Sequence, residues 1–338
     1  MSFCTAKGEI VLVFAGRLFA SVTGLFALSL ASAALVQPSS LKAYRFGGSK
    51  YISITEVAAY YGLGRDVRGV VDRAEYKTSF AQLELQADRR DILLNGVNHW
   101  LSAPILVARG RLWIAELDVL KTLDPVLRPE RLRSGPQVRT IVLDPGHGGS
   151  DRGTRGRSSR EKELTLDLAK RVERDLAASG MHVVLTRASD KTVPLENRVG
   201  FVRAKGADLF VSLHFNSGGP ASGIETYCAP PAGADSTANT GSDDREATPN
   251  NRFDEQNVWL AQCVQKTLSR ATGAVDRGVR RARFYVLRYA NCPAILVEAG
   301  FLSSPPEEQR ILRTDYRDLL AKAIADGILT YKKTMEAP

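Results

Sequence analysis

The sequence predicts an α/β protein: a mixed, largely parallel sheet with helices on both faces, preceded by a small α+β domain. Three observations carry that reading. After residue 139, short apolar, β-branched runs alternate with stretches whose apolar residues recur at helical spacing, as right-handed βαβ units require. Between residues 41 and 129 the pattern instead changes every few residues, as short strands and small helices do. The 338 residues, 44% hydrophobic and 25% charged, are enough for two domains with ordinary cores.

The first forty residues depart from that average. Arg17 precedes the apolar run Leu18 to Leu30, and Ala31-Ser32-Ala33 then offers small residues at a cleavage point, so residues 1–33 read as a secretory signal. An uncleaved membrane anchor is the alternative. Thr23 and Gly24 interrupt the run, which is shorter than the roughly 20 apolar residues a bilayer span needs. No other segment is long and apolar enough to cross, so no stable membrane span is expected once the signal is removed. No cysteine follows the cleavage region, which argues against a lipid anchor. The expected location is periplasmic or secreted, at the cell wall.

Loss of the signal takes Cys4 with it and leaves Cys228, Cys263 and Cys292. That odd set permits at most one disulfide and matches no Cys-x-x-Cys metal motif, so these read as buried or unpaired thiols. The formal net charge of +9 and the dense run Arg277-Gly-Val-Arg-Arg-Ala-Arg283 raise a nucleic-acid reading. Neither interleaved stacking aromatics nor a helix-turn-helix pattern accompanies the charge, and an exported protein rarely meets nucleic acid. A solvated basic surface remains, or a basic face drawn to anionic envelope polymers.

In the small domain, residues 41–129, Tyr51-Ile-Ser-Ile54 alternates as a strand and Thr55 caps a helix through Gly62. Phe80 to Leu85 and Asp91 to Gly96 read as two strands around the polar stretch Gln86 to Arg90. Asn95-Gly96 signals a further turn before Trp100-Leu101. Leu112 to Ala115 leads into a helix from Glu116 to Leu123, and His99 reads as a surface turn residue. Arg128 to Val138, with Pro129, Gly135 and Pro136 among arginines, has no apolar periodicity, and residues 130–138 read as a linker.

In the second domain, residues 139–332, Arg139 to Leu143 is a strand. Glu161 to Ser179 carries Leu164, Leu168, Val172 and Leu176 at helical spacing and ends before Gly180. His182 to Thr186 is a strand, Pro194 to Ala204 a helix, Asp208 to Leu213 a strand and Gly223 to Cys228 another. Ala229 to Asn251, rich in Pro, Gly, Ser, Thr, Asn and Asp, reads as a long mobile loop. A helix from Glu255 to Thr272, strands Phe284 to Leu287 and Ala294 to Val297, and a helix from Tyr316 to Lys332 complete the domain.

Chemistry converges at strand ends. His147, His214 and Glu298 fall at or just past the carboxyl ends of strands and Glu161 starts a helix, which in an open α/β sheet places them at the binding crevice. Two imidazoles and a carboxylate suit one zinc with a fourth position left for water, and the second carboxylate is free to act as a general base. A zinc-bound water needs no serine or cysteine nucleophile, and neither Gly-x-Ser-x-Gly nor a phosphate-binding loop is present. Each residue also has a duller reading: His147 as a turn residue, His214 as a core histidine, and Glu161 as the end of the capping box Ser158-Ser-Arg-Glu161. Glu298 follows four apolar residues, where a carboxylate without compensation is costly. His182 reads as exposed and uninvolved.

Four segments resemble, in order, those of the zinc-dependent N-acetylmuramoyl-L-alanine amidases: Asp144-Pro-Gly-His-Gly-Gly149, Glu161-Lys162, Ser212-Leu-His-Phe-Asn216 and Val297-Glu-Ala-Gly-Phe-Leu-Ser303. Leu185-Thr-Arg187, Leu195-Glu-Asn-Arg198 and Ala207-Asp-Leu-Phe-Val211 support the match, which runs from about Arg139 to Lys332. The resemblance implies the amidase/phosphorylase-hydrolase-like fold and one Zn2+ ion bound by His147, Glu161 and His214. It also implies Glu298 as the catalytic carboxylate and cleavage of peptidoglycan between N-acetylmuramic acid and L-alanine. Asp144 and Asn216 are expected to contact the ligating histidines or the substrate, and Arg198 to pair with a carboxylate, there or in a structural salt bridge. Residues 41–129 resemble the small N-terminal domain of copper amine oxidases through the Leu-Asn-Gly turn and the ending Leu123-Asp-Pro-Val-Leu-Arg128, with no copper site implied.

Two departures stand out. Phe215 replaces the alanine common after the second histidine, which implies a reshaped cleft wall. Ala229 to Asn251 lacks the apolar periodicity of the docking helix that occludes the zinc in some relatives, so no strong autoinhibition is expected. Two rival readings remain at this point: a zinc peptidase acting on wall peptides, and a catalytically dead wall-binding module.

Overall fold

The computed structural model describes residues 38–68, 70–133, 137–238 and 245–337, and the expected signal segment and Cys4 lie outside them. Pro38–Pro338 forms one compact unit. Among the described residues no helix is long and apolar enough to cross a membrane.

The chain begins with β1 (Tyr44–Phe46), β2 (Ser49–Ser53) and α1 (Ile54–Tyr60). A meander follows: β3 (Arg73–Lys77), β4 (Gln82–Gln86), β5 (Asp91–Leu94) and β6 (Val97–Trp100). In β4, Leu83 and Leu85 are buried while their neighbours are not, the period-two pattern of a sheet with one covered face. β7 (Leu106–Ala108) and β8 (Arg111–Ala115) then close a four-stranded sheet in the order β1-β2-β8-β7. The helical run after it is longer than expected and irregular: α2 (Glu116–Asp118), a π-helical turn at Val119–Leu123 and α3 (Asp124–Leu127).

The second half supplies β9 (Thr140–Pro145), α4 (Glu161–Ala177), β10 (His182–Leu185), α5 (Leu195–Ala204), β11 (Leu209–Asn216) and β12 (Ile224–Cys228). It continues with α6 (Asp254–Thr272), β13 (Asp276–Arg281), α7 (Tyr285–Tyr289), β14 (Ala294–Phe301), α8 (Pro305–Leu312) and α9 (Thr314–Glu336). One sheet of ten strands runs β10-β9-β11-β14-β12-β13-β6-β5-β4-β3. It is parallel from β10 to β14, antiparallel between β14 and β12, and parallel again from β12 through β13 to β6. Its central strands are covered on both faces. Ile141, Leu143, Val211 and Val297 face a core shared with α4, α6 and α9, whereas Val142, Phe210 and Leu296 face one shared with α5 and α7. Burial on both faces is why these strands read as continuous apolar runs.

Three sequence expectations need correction. His99 is a buried strand residue, 1% exposed, with Nε2 2.5 Å from Gln262 Oε1. Burial pushes its imidazole down to about 4. It is covered because α6, which carries Gln262 and lies far ahead in sequence, packs over β6. The second correction concerns Phe284 to Leu287, which opens the short helix α7, where adjacent Val286 and Leu287 are both buried; four apolar residues are too few to separate the two periods. The third concerns Arg277 to Arg283, whose first part is strand β13. Arg277 and Arg280 pair with Glu225 at 2.5 and 2.9 Å, and Arg281 bonds Cys228 Sγ and the Lys121 carbonyl. These charges serve internal contacts and do not form a basic face. Cys228, Cys263 and Cys292 are free and buried, and burial pushes the last two thiols up to about 12.

Candidate metal centre

Parallel strands end together, and here the end of β9 and neighbouring positions on β11 and β14 bring the predicted side chains to one crevice. His214 and Glu298 are register partners on adjacent strands, on the sheet face that carries α5 and α7. His147 lies two residues past β9 in left-handed backbone, with φ of 62°, a conformation that costs a non-glycine residue energy unless its surroundings fix it. Two buried arginines fix it. Arg198 donates to Asp144 Oδ1 at 2.6 Å, to the Pro145 carbonyl at 2.9 Å and to the His147 carbonyl at 2.7 Å. Arg187 donates to the carbonyls of Pro145, Gly146 and Lys162 at 2.9, 2.8 and 2.8 Å. Gly146 has to be glycine, because a Cβ there would stand 2.2 Å from the His214 ring.

Glu161, the first residue of α4, points its carboxylate at both histidines. Oε1 lies 3.0 Å from His147 Nε2, 2.9 Å from His214 Nδ1 and 3.1 Å from the Phe215 amide, while Oε2 accepts the Thr154 amide at 2.7 Å. These bonds cross the helix start to other segments, so the capping-box reading of Glu161 does not apply. Burial raises the Glu161 carboxyl, but the two imidazoles outweigh it and hold it far below the ordinary range. The His147 ring carries Asp151 Oδ2 on Nδ1 at 2.9 Å as well as Glu161 on Nε2. A neutral imidazole has a single N–H and satisfies one such carboxylate; the other nitrogen then needs a proton or a metal. His147, Glu161 and His214 offer donor atoms within 4.8 Å of one another and, among the described residues, are the only such group suited to a metal. Two imidazoles, a carboxylate and an acid orienting one imidazole from behind match zinc chemistry.

Glu298 lacks a partner. It is 9% exposed, its Oε2 has no hydrogen bond, and burial followed by repulsion from Glu161 and Glu225 raises its carboxyl well above the ordinary value. A cation held by the neighbouring ligands is the compensation such a group lacks. Glu225, its register partner on β12, is satisfied by Arg277, Arg280, the Tyr227 hydroxyl and Asn216 Nδ2. The four residues line a cleft of about 630 Å³ whose lining also includes Val193–Leu195 and Phe284–Val286. The described part of Ala229 to Asn251 lines none of it; Thr237 there bonds the Arg281 carbonyl.

The family model of the N-acetylmuramoyl-L-alanine amidases matches residues 141–330. The chain belongs to this amidase family. Among its relatives is the N-acetylmuramoyl-L-alanine amidase LytC of Bacillus subtilis (strain 168), 31% identical over 291 residues that make up 84% of this chain and 54% of LytC. The chain thus spans about half the length of that relative. The amidase AmiA of Escherichia coli (strain K12) is 30% identical over 284 residues, 75% of this chain and 95% of AmiA. The catalytic domain of the amidase CwlV from Bacillus (Paenibacillus) polymyxa var. colistinus is a structural neighbour at 34% identity and a TM-score of 0.49, covering 57% of this chain and 97% of that domain. The amidase match begins after residues 41–129 and gives no support to the copper amine oxidase likeness expected there.

The remaining predicted residues take up supporting positions in this member of the family. Asp144 meets Thr186, Ser212 and Arg198 and touches neither histidine; Asn216 lines the cleft and bonds Glu225; Arg198 forms the buried structural pair with Asp144. Phe215 is fully buried in the core and gives Glu161 its amide. His182 is exposed. Sequence reasoning missed Asp151, whose only signal was its place four residues after His147, and the clamp role of Arg187.

Proposed function

We propose that the protein is an exported, zinc-dependent peptidoglycan amidase that hydrolyses the bond between the lactyl group of N-acetylmuramic acid and the L-alanine of the stem peptide. The observation that carries this reading is the unpartnered, buried Glu298 carboxylate beside the convergent donors of His147, Glu161 and His214. In that reading the three donors hold zinc, which when bound lowers the pKa of a water and polarises a carbonyl oxygen. Glu298 is the catalytic residue: it takes a proton from the attacking water and passes it to the departing alanine nitrogen, as the new C–O bond replaces the C–N bond. Asp151 fixes which His147 nitrogen faces the ligand set, and Arg187 and Arg198 hold the loop that carries it.

Digestion of purified sacculi followed by mass spectrometry tests the reading. Release of intact stem peptides with L-alanine at the free amine, abolished by chelator and restored by zinc, is expected. Cleavage between amino acids would instead favour a zinc peptidase, and inert zinc-loaded protein a wall-binding module.

A further inference from the structure

Between His147 and Glu161 the chain turns back through Asp151-Arg-Gly-Thr-Arg-Gly-Arg-Ser-Ser-Arg160. Arg155 and Arg160 form an antiparallel bridge, and the Gly156 amide reaches the Ser159 carbonyl at 3.1 Å, so the segment is a small hairpin. Its base touches the metal-ligand set: the Thr154 amide donates to Glu161 Oε2 at 2.7 Å, and a Cβ on Gly153 would lie 2.5 Å from the His147 ring.

The fold invests in holding this tip still. Glu308, on α8 and 2% exposed, accepts the Arg157 amide, the Ser158 amide and the Ser159 hydroxyl at 2.9, 2.9 and 2.7 Å. Gly156 permits that approach, since a Cβ there would stand 2.2 Å from Glu308 Oε1. Three charge-assisted bonds to one carboxylate make a rigid tip. What the tip displays is almost purely cationic: Arg152, Arg155, Arg157 and Arg160 are all exposed, around a groove of about 480 Å³. The acid lining that groove is Glu163, which sits 3.5 Å from Arg160. A buried carboxylate and an obligate glycine are spent to fix a loop whose side chains repel one another. The excess positive charge on this rigid tip favours an anionic ligand.

We propose that this hairpin is a carboxylate-recognising subsite for an acidic peptide, namely the stem peptide on the amine side of the scissile bond. The inference rests on the reaction proposed above and assigns the peptide side of the cleft to residues 152–160. An acidic peptide is favoured over a wall polymer because the hairpin is continuous with the ligand loop, its base residues Gly153 and Thr154 lining the cleft itself. Elsewhere in the cleft lining, Leu195, Phe284 and Tyr285 offer apolar and aromatic surface that suits a sugar ring.

The test pairs two muramoyl peptides on the full chain, one with free carboxylates and one with them amidated. Wild type is expected to prefer the free acid. In the double variant Arg155→Gln, Arg157→Gln the ratio of kcat/KM values falls about five- to tenfold toward one, chiefly through KM, and Arg155→Lys, Arg157→Lys retains most of the preference. A ratio unmoved by the glutamine pair overturns the subsite. A second arm measures anisotropy of a fluorescein-labelled acidic peptide starting with L-alanine on the Glu298→Gln chain, where no turnover is needed. Binding that weakens by the same factor in the glutamine pair supports the subsite even if the chain cleaves no muramoyl amide; hydrolysis with charge-blind kinetics keeps the reaction and sinks the subsite. A glutamine pair that loses co-sedimentation with polyanionic wall polymer, yet keeps the acid preference and peptide affinity, also overturns the proposal.

Discussion

Replacing Glu298 by glutamine separates catalysis from stability, because the two effects have opposite signs. The carboxyl is raised well above its ordinary 4.5, first by burial and then by Glu161 and Glu225, and Oε2 finds no donor. An acid with a higher pKa in the folded state keeps its proton there at pH values where the unfolded chain has released it. The folded state then binds more protons, so stability falls as pH rises from 4.5 through the folded value. Glutamine does not titrate. In chelator-treated protein the Glu298→Gln variant should therefore match wild type in acid and exceed it at neutral pH, by about 1–3 kcal/mol for relief of an unsatisfied buried group. For a chain of this size that is an increase of several degrees in Tm, at about 2–4 °C per kcal/mol. Hydrolysis of sacculi by the zinc-loaded variant should fall by about 10²- to 10⁴-fold, the usual worth of a general acid–base group, with zinc still bound. Thermal unfolding at two pH values, metal analysis and a dye-release assay read all three. A Tm difference that does not change with pH would refute the argument from burial, and retained activity would remove Glu298 from the chemistry.

Asp151→Ala should weaken zinc binding by about 10- to 100-fold, because the His147 ring loses the acceptor that fixes its tautomer; competition with a chromophoric chelator checks this, and unchanged affinity would free Asp151 of that role. Arg198→Met strands the buried Asp144 carboxylate and releases the His147 carbonyl, so urea unfolding should show a loss of about 3–5 kcal/mol. Deleting residues 38–129 uncovers the β13 edge, where Asn98 holds Asp276 through its amide at 2.8 Å and its side chain at 3.0 Å, and Trp100 Nε1 holds the Arg277 carbonyl at 3.0 Å. Size-exclusion chromatography should then show association through the exposed strand, whereas a stable monomer would mean the edge protects itself.

Local signals made the site legible before the fold. Gly146, His147 and Gly148 follow an apolar run, and Glu161 opens a strongly periodic helix; each is a contiguous motif whose chemistry needs no knowledge of partners. What stayed hidden depends on long-range pairing. His99 looks exposed because the helix that covers it, α6, lies more than 150 residues further on, and β13 reads as a basic patch because its charges are answered by Glu225 on a neighbouring strand. Glu116 to Leu123 was legible as helical, but its π turn and the continuation through α3 to Leu127 were not, since the π irregularity reflects packing and has no propensity signature. The meander β3–β6 reads as a separate small domain, yet in the structure it extends the sheet of the second half, joined through a single short parallel pairing. Periodicity reports which face of a strand is buried and says nothing about what buries it.

The manner in which the ligand loop is held predicts how the protein responds to metal removal. The left-handed backbone at His147 costs on the order of 1–2 kcal/mol, and a loop of glycines would relax out of it if the metal alone imposed it. The restraints are protein groups instead: Arg198 and Arg187 grip the carbonyls of residues 145–147, and the Thr165 hydroxyl takes the Gly146 carbonyl at 2.9 Å. A buried arginine fork that loses its carbonyls would leave several donors unpaired, at about 1–3 kcal/mol each, which exceeds the backbone strain. The loop therefore stays in place whether or not zinc is bound. Zinc then stabilises by mass action alone, about 2.7 kcal/mol at one hundred times its dissociation constant, and is not required to fold the domain as it is in a zinc finger. Chelation should leave the far-ultraviolet circular dichroism unchanged while lowering Tm by an amount that grows with the zinc concentration of the untreated sample. Cooperative loss of secondary structure on chelation would show that the arginine clamp does not hold the loop.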